Sequence, residues 1–500
     1  MDQQLLKRLE LFRQYTIYLL GMMLQKISAF ALIPIYTSWL STAEYGILEI
    51  VNSFLGFASL FVSLGVPSAL NKCYLRDGSS KEDRKIIVGT CIIFSIPFLT
   101  MLLMFGFFFE RSLAILLFGR DDYVHYIRLM LLSMFLTQTT LIPMQLLRTL
   151  GLPGKYVMLS ALQMVTQISF SLILLVVFKF GVMAILIANL TGYVAVQLAT
   201  LHFLRQHLYL RFSWQHLKNL ASFGLALVPI NLCAWVIDVS DRFFLLHLGS
   251  SSEVGIYSLG YKFGILIDMI LVMPFQKAWN PYYFSIADKD EAKIVFSRTI
   301  TYYFSLLCLG VGILIVCAEP LIHIMSHSDY YQASKIIPLI AISYLLYGLA
   351  ICFNTTLIVM RRVKIAVTVF VCGALANLIL NWTLIPRYGM VGAGLSTLLA
   401  FGIMFTLISW SVAIWYPISL EFQRLFKAFL TTVILSVLAL QIDLRSLPLE
   451  IFIRSLILIS MPGILLLTNF FNQEEIQTVR MMVQRFVPSY WILSSKAQKN

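Results

Sequence analysis

The sequence predicts an all-α integral membrane protein with about fourteen transmembrane helices. They form two parallel six-helix lobes around a central cavity, with two additional helices at the C-terminal end. Three observations predict this. The chain of 500 residues is 59% hydrophobic and only 12% charged, with a mean hydropathy of +0.84; soluble domains average roughly 45–50% apolar and 25% charged residues. The apolar residues fall into runs of the length needed to cross a hydrocarbon core, about 20 residues. Short sequences in the first half also recur in the second half in the same order.

Taken from the start, residues 1–14 put Leu5, Leu9 and Phe12 on one helical face and Lys7, Arg8 and Arg13 elsewhere, the pattern of a short interfacial helix. The run that follows is too long for a signal-peptide core and lacks a small-residue cleavage site, so it reads as a retained anchor. Six runs near 15–38, 46–70, 86–108, 124–147, 157–178 and 181–203 make an N-terminal lobe over residues 15–210. Six more, near 219–247, 254–280, 298–318, 335–360, 365–385 and 389–416, make a C-terminal lobe over 211–420. Runs near 428–443 and 450–470 supply two additional helices within 421–471. In the tail, 472–500, Ile476, Val479, Val483 and Phe486 oppose Arg480, Gln484 and Arg485, which predicts a second interfacial helix on the cytoplasmic side.

Charge placement tests the topology. With the N-terminus inside, the inner loops hold Lys72, Arg76, Lys81, Arg84 and Lys85, then Arg148 and Lys155, then Arg205, Arg211 and Lys218. Further on they hold Lys289, Lys293 and Arg298, then Arg361, Arg362 and Lys364, then Arg424 and Lys427. The outer loops receive only a few basic residues, such as Arg111, Arg120, Lys179, Lys335 and Arg387. That is the positive-inside distribution, and it predicts a multi-pass membrane chain with both termini on the cytoplasmic side. The net charge of +13 is therefore spread over loops rather than gathered into a nucleic-acid-binding patch. The seven cysteines lie mostly within apolar runs with no CxxC pair, so neither a disulfide nor a metal site is expected. His323 and His327 are four apart but have no carboxylate partner in sequence, so no metal and no cofactor are assigned.

The duplication is short but ordered. Glu44-Tyr45-Gly46-Ile47 follows the first run and Glu253-Val254-Gly255-Ile256 follows the seventh, and both read as turns at outer loops. Lys179-Phe180-Gly181-Val182 follows the fifth run and Arg387-Tyr388-Gly389-Met390 follows the eleventh. The basic turn at Lys155 corresponds to the one at Lys364. An even number of helices per repeat makes the repeats parallel, and transporters built this way bind substrate between the halves.

With these residues in view, the chain resembles the polysaccharide-biosynthesis or O-antigen flippase branch of the multidrug/oligosaccharidyl-lipid/polysaccharide exporter superfamily. The resemblance is carried by Asp241-Arg242-Phe243-Phe244-Leu245, by Glu253 to Ser258 with Tyr261-Lys262, by Phe275-Gln276-Lys277-Ala278-Trp279-Asn280-Pro281, and by the turn from Tyr388 to Ala393. It implies a transporter rather than an enzyme, working by alternating access. The implied cargo is a polyprenyl-pyrophosphate-linked oligosaccharide moved from the inner to the outer leaflet for surface polysaccharide (lipopolysaccharide) assembly. Membrane lipids, and a glycan polymerase and glycosyltransferases, are its implied partners. Two other readings stay open: a multidrug or cation antiporter on the same scaffold, and a membrane-embedded glycan polymerase, ligase or acyltransferase.

A pyrophosphate needs cations, because crossing hydrocarbon unpaired is prohibitive. Lys26 in the first run, Arg242 in the seventh and Lys262 in the eighth are the candidates for a cationic lumen. The competing reading for Arg242 is a structural pair with Asp238 at i,i+4. Asp238, Asp241 and Asp268 are the acids that either couple transport to a proton or sodium ion or neutralise a neighbouring cation, the plainer role being the one favoured. Glu49 and Asn52 share a face near the outer end of the second run and are candidates for a gate.

Overall fold

The computed structural model describes residues 30–62, 70, 73–74, 80–207, 209, 211–287, 289, 291–444, 446–473, 475 and 477. The expected interfacial segment 1–14, Lys26 and nearly all of the expected tail helix lie outside the described residues.

Among the described residues the regular structure is entirely helical. The helices of the first half are α1 (Ile33–Trp39), α2 (Thr42–Val62), α3 (Lys81–Phe108), α4 (Glu110–Phe118), α5 (Val124–Thr149), α6 (Pro153–Leu172) and α7 (Val182–His207). Those that follow are α8 (Trp214–Leu248), α9 (Ser251–Gly264), α10 (Met273–Ile286), α11 (Ala292–Met325), α12 (Ile336–Val359) and α13 (Val363–Trp415). The chain then adds α14 (Phe422–Leu440), α15 (Leu447–Ile459) and α16 (Met461–Leu467). Among the described residues eleven helical spans are long and apolar enough to cross a membrane. A backbone in hydrocarbon must satisfy its own polar groups, and helices do so locally. Large apolar side chains such as Phe108, Met104, Trp382, Trp410 and Phe422 stand exposed on the bundle's outside, where lipid tails replace water.

Two expectations from the sequence change form. The runs near 365–385 and 389–416 are joined end to end in α13, 53 residues bent at Gly389 (φ 53°, ψ −133°). At about 1.5 Å per residue that helix is about 80 Å long, more than twice a hydrocarbon core of about 30 Å, so it crosses twice with the bend as its turn. The E-x-G-I sequences are not loop turns but the first turns of α2 and α9. Each starts with a serine cap: Ser41 Oγ accepts from the Glu44 N–H and Ser250 Oγ from the Glu253 N–H. At Ser41 the Glu44 carboxylate accepts from the serine N–H in return at 2.9 Å, which completes a capping box.

The matched segments share geometry as well as sequence. Gly181 and Gly389 both adopt left-handed φ, 55° and 53°, a region glycine enters without steric cost. The Glu44 carboxylate lies against Gly181 and the Glu253 carboxylate against Gly389. At the basic ends, Gly151 and Arg361 are also left-handed. The N–H groups that follow reach back identically, Leu152 to the Leu147 carbonyl and Arg362 to the Leu357 carbonyl, a helix-terminating bond pattern. An α6·α7 pair and an α12·α13 pair form the flanks, while α14 and α15 pack on α11. The two halves meet mainly where α2 lies against α9 and α8.

Candidate functional site

The contact between α2 and α9 is close because both helices present glycine to it. A Cβ on Gly46 would strike the Ser251 carbonyl oxygen, and one on Gly255 would strike the Thr42 carbonyl oxygen. The hydroxyls of Thr42 and Ser252 lie 2.7 Å apart across the same junction. The two copies of the repeated sequence therefore touch each other, backbone to backbone, at the end of the bundle with few basic residues.

About two helical turns further along α9, Lys262 donates to Glu49 Oε1 at 2.6 Å and to the Tyr45 hydroxyl at 2.7 Å, both on α2. Its ammonium stands 4.9 Å from the centre of the Tyr45 ring, a cation–π distance. Tyr45 packs edge-on to Tyr330 at 5.8 Å, and the Tyr330 hydroxyl donates to the Leu40 carbonyl at 3.0 Å. Side chains of the two halves thus alternate through the junction. Of the two gate candidates, Glu49 is buried in this network, whereas Asn52 is exposed and makes no hydrogen bond among the described residues.

Arg242 is buried on α8. Its Nε donates to the Ser258 hydroxyl at 3.2 Å and its Nη1 to the backbone carbonyl of Asp238 at 2.8 Å, and the guanidinium lies 4.7 Å from the Tyr261 ring centre. The i,i+4 carboxylate pair that the sequence allowed is not made. Asp238 turns its Oδ1 to the hydroxyls of Tyr344 at 3.2 Å and Tyr261 at 3.4 Å, and only its main chain serves Arg242. Among the described residues no carboxylate lies within ion-pair distance of the guanidinium. A buried cation held by neutral groups alone is costly unless an anion visits it.

The three acids are divided between two places. Asp238 and Asp268 line a cavity of about 70 Å³ with Tyr344, Tyr347, Phe370 and Phe401. Asp241 is fully buried elsewhere, accepting from Tyr257, from Asn381 Nδ2 at 2.7 Å and from the Thr397 hydroxyl at 2.8 Å. Asn381 also donates to Asn377 Oδ1 at 3.0 Å, and the Ser240 hydroxyl donates to the same oxygen at 3.0 Å. The Oδ1 of Asn381 is buried with no hydrogen-bond partner. Rotating that amide would aim its oxygen at Asp241. The resulting all-oxygen set with one carboxylate suits a proton or a hard monovalent cation, not a thiolate- or imidazole-seeking metal. Among the described residues there is no cluster of three His, Cys, Asp or Glu.

Sequence reasoning missed Tyr45, Tyr330, Ser258, Asn377, Asn381 and Thr397. Two carried a readable signal, since Asn377 and Asn381 are amides four apart in an otherwise apolar run and polar groups inside spans are expensive. The hydroxyls carried none, because serine, threonine and tyrosine are common in membrane helices without a site.

Comparison with known proteins places this geometry. A family model described as polysaccharide biosynthesis protein matches residues 11–287, and one described as MatE matches residues 227–383. A protein of the Lsg locus of Haemophilus influenzae is 21% identical over 414 residues, covering 77% of this chain and 96% of the relative. The solved structure of lipid II flippase MurJ in an inward closed conformation aligns with a TM-score of 0.73 at 16% identity, over 91% of this chain and 98% of that one. An inward-facing multidrug resistance MATE family transporter of the MOP superfamily gives 0.62 at 16% identity, over 78% and 95%. At such identities the likeness shows the fold, which is that of multi-pass membrane transporters.

Proposed function

The chain belongs to the polysaccharide biosynthesis protein family, and from that premise we propose that it is a flippase for a polyprenyl-pyrophosphate-linked oligosaccharide. It works by alternating access between lobes 15–210 and 211–420, carrying its cargo from the inner to the outer leaflet of a bacterial cytoplasmic membrane. The observation that carries the reading is Arg242, a buried guanidinium without a carboxylate partner among the described residues, beside the α2–α9 junction. It offers charge-assisted donors to a diphosphate while the polyprenyl chain stays in lipid. Lys262, and Lys26 from the segment outside the described residues, add cations to the same lumen. The positive-inside bias puts the glycine junction at the outer end, so Glu49 and its partners form the outer gate. Asp241 with Asn377, Asn381 and Thr397 supplies the coupling site for a proton or sodium ion, whereas Asp238 and Asp268 line the neighbouring cavity. Membrane lipids, a glycan polymerase and glycosyltransferases are the partners this role implies.

A multidrug or cation antiporter is the second reading, favoured by the MatE match over 227–383. A buried cation without an acidic partner argues against it, since a cationic drug would be repelled. The test is purified protein in vesicles carrying a fluorescent polyprenyl-linked glycan. Arg242→Ala should lower translocation by roughly tenfold or more, the scale of one lost charged hydrogen-bonding group, with the protein still inserted. Arg242→Lys should retain more activity. Unchanged translocation by Arg242→Ala would remove the cationic-lumen mechanism.

A further inference from the structure

Lys262 already has an anion. Glu49 occupies its ammonium at 2.6 Å. The Glu49 side chain is buried, at 8% exposure, while that of Lys262 is 34% exposed. The cation therefore keeps an open flank, while its partner is shielded from solvent. From this arrangement, and resting on the diphosphate reading above, we infer that Glu49 is a resident counter-anion that the cargo's diphosphate displaces. That exchange is what unlocks the outer gate.

The physical basis is a competition for one donor set. With no cargo, Glu49 is in direct contact with Lys262, while Arg242 is held by the Ser258 hydroxyl and the Asp238 carbonyl. A diphosphate ester brings more negative charge than Glu49, and several acceptor oxygens where Glu49 offers two. In the low dielectric of the interior that excess decides the exchange. Once Lys262 turns to the diphosphate, Tyr45 loses its hydrogen bond from the ammonium, and Tyr45 is the residue that interleaves with Tyr330 of the other half. What remains at the junction is glycine backbone contact, the Thr42–Ser252 hydroxyl pair and the hydrogen bond from Tyr330 to the Leu40 carbonyl. After release Glu49 takes Lys262 back and reseals the end. A neutral or singly charged headgroup cannot win the exchange, so the gate stays shut to ordinary phospholipids. Glu49 is thus a specificity-determining residue: it couples opening to the charge of the cargo.

The junction provides its own reporter. The Thr42 and Ser252 hydroxyls are 2.7 Å apart, so a Thr42→Cys/Ser252→Cys chain under mild oxidation measures closure as the yield of the 42–252 disulfide, read by mass spectrometry. Four conditions are compared: phosphatidylglycerol vesicles alone, the same with polyprenyl monophosphate, the same with polyprenyl diphosphate, and inorganic pyrophosphate added in solution. Polyprenyl diphosphate should lower the yield roughly fivefold or more, a shift set by its preference for one state. Polyprenyl monophosphate, with about 1.5 to 2 negative charges, should lower it less, and singly charged phosphatidylglycerol alone should leave it high. An equal fall with pyrophosphate supports the headgroup as the whole trigger; a fall only with the lipid supports a trigger that needs the membrane-anchored form. In a Glu49→Gln background the yield without cargo should already be low and diphosphate should add nothing. A yield indifferent to diphosphate, in vesicles that still translocate the labelled glycan lipid, overturns the inference and leaves the flippase reading standing. Failure to translocate any polyprenyl-diphosphate glycan sinks the flippase reading instead.

Discussion

Two buried ion pairs in this molecule have nearly the same length and opposite meanings. Glu450 and Arg454 of α15 pair at 2.6 Å, and Glu49 and Lys262 pair at 2.6 Å. The first lies four residues apart on one helix. Its guanidinium is also fastened by the Ile442 carbonyl and by the Val316 carbonyl of α11 at 2.7 Å. Every acceptor around it stays in place however the halves move, so it ties α15 to α11 as a static joint. The second joins residues 213 positions apart across the boundary between the halves, and its cation is open on one side. Burial and distance do not distinguish a joint from a latch. The position of the pair relative to the surface that must separate does.

Removing Arg454 should sharpen that contrast most. Arg454→Ala leaves Glu450 buried without its cation, and breaking such a pair costs about 3–5 kcal/mol. Thermal unfolding in detergent should show a large loss of stability with transport lost in proportion, whereas Glu49→Gln should move the gate with far less effect on unfolding. An Arg454→Ala protein of normal stability would erase the distinction.

Next in size is the glycine contact. Gly46→Ala or Gly255→Ala puts a methyl into backbone that cannot give way, and overpacking of this kind costs about 1–3 kcal/mol. The strain is relieved if the halves part, so the yield of the 42–252 disulfide should fall. Gly373→Ala is the control, because its Cβ would meet only ordinary contacts of 3.5 Å and more. Equal yields in all three variants would show that the junction is looser than its backbone spacing implies.

The smallest stability effect belongs to Asp241. Asp241→Asn keeps the shape and the neutral neighbours, so folding should change by about 1 kcal/mol. Translocation driven by an imposed proton or sodium gradient should nevertheless lose its gradient dependence. Wild-type transport that ignores both gradients would remove the coupling role.

The helices and their order were legible because hydropathy acts over short stretches of chain. The repeat was legible as well, although its E-x-G-I segments looked like turns until the serine caps placed them inside helices. Arg242, Lys262, Glu49 and Asp241 stood out because charge within a hydrocarbon-spanning run is rare. Their partners did not. Asp238 was the obvious neighbour for Arg242 at i,i+4, yet its carboxylate goes to Tyr344 and Tyr261 on other helices. The sequence alone determined that this is a duplicated, all-helical membrane protein with charges buried in its spans. Which charge meets which was decided only by tertiary packing, because a helix surface exposes each side chain to several neighbours. Only the close approach of Gly46 and Gly255 chose Glu49 for Lys262 from the far side of the chain.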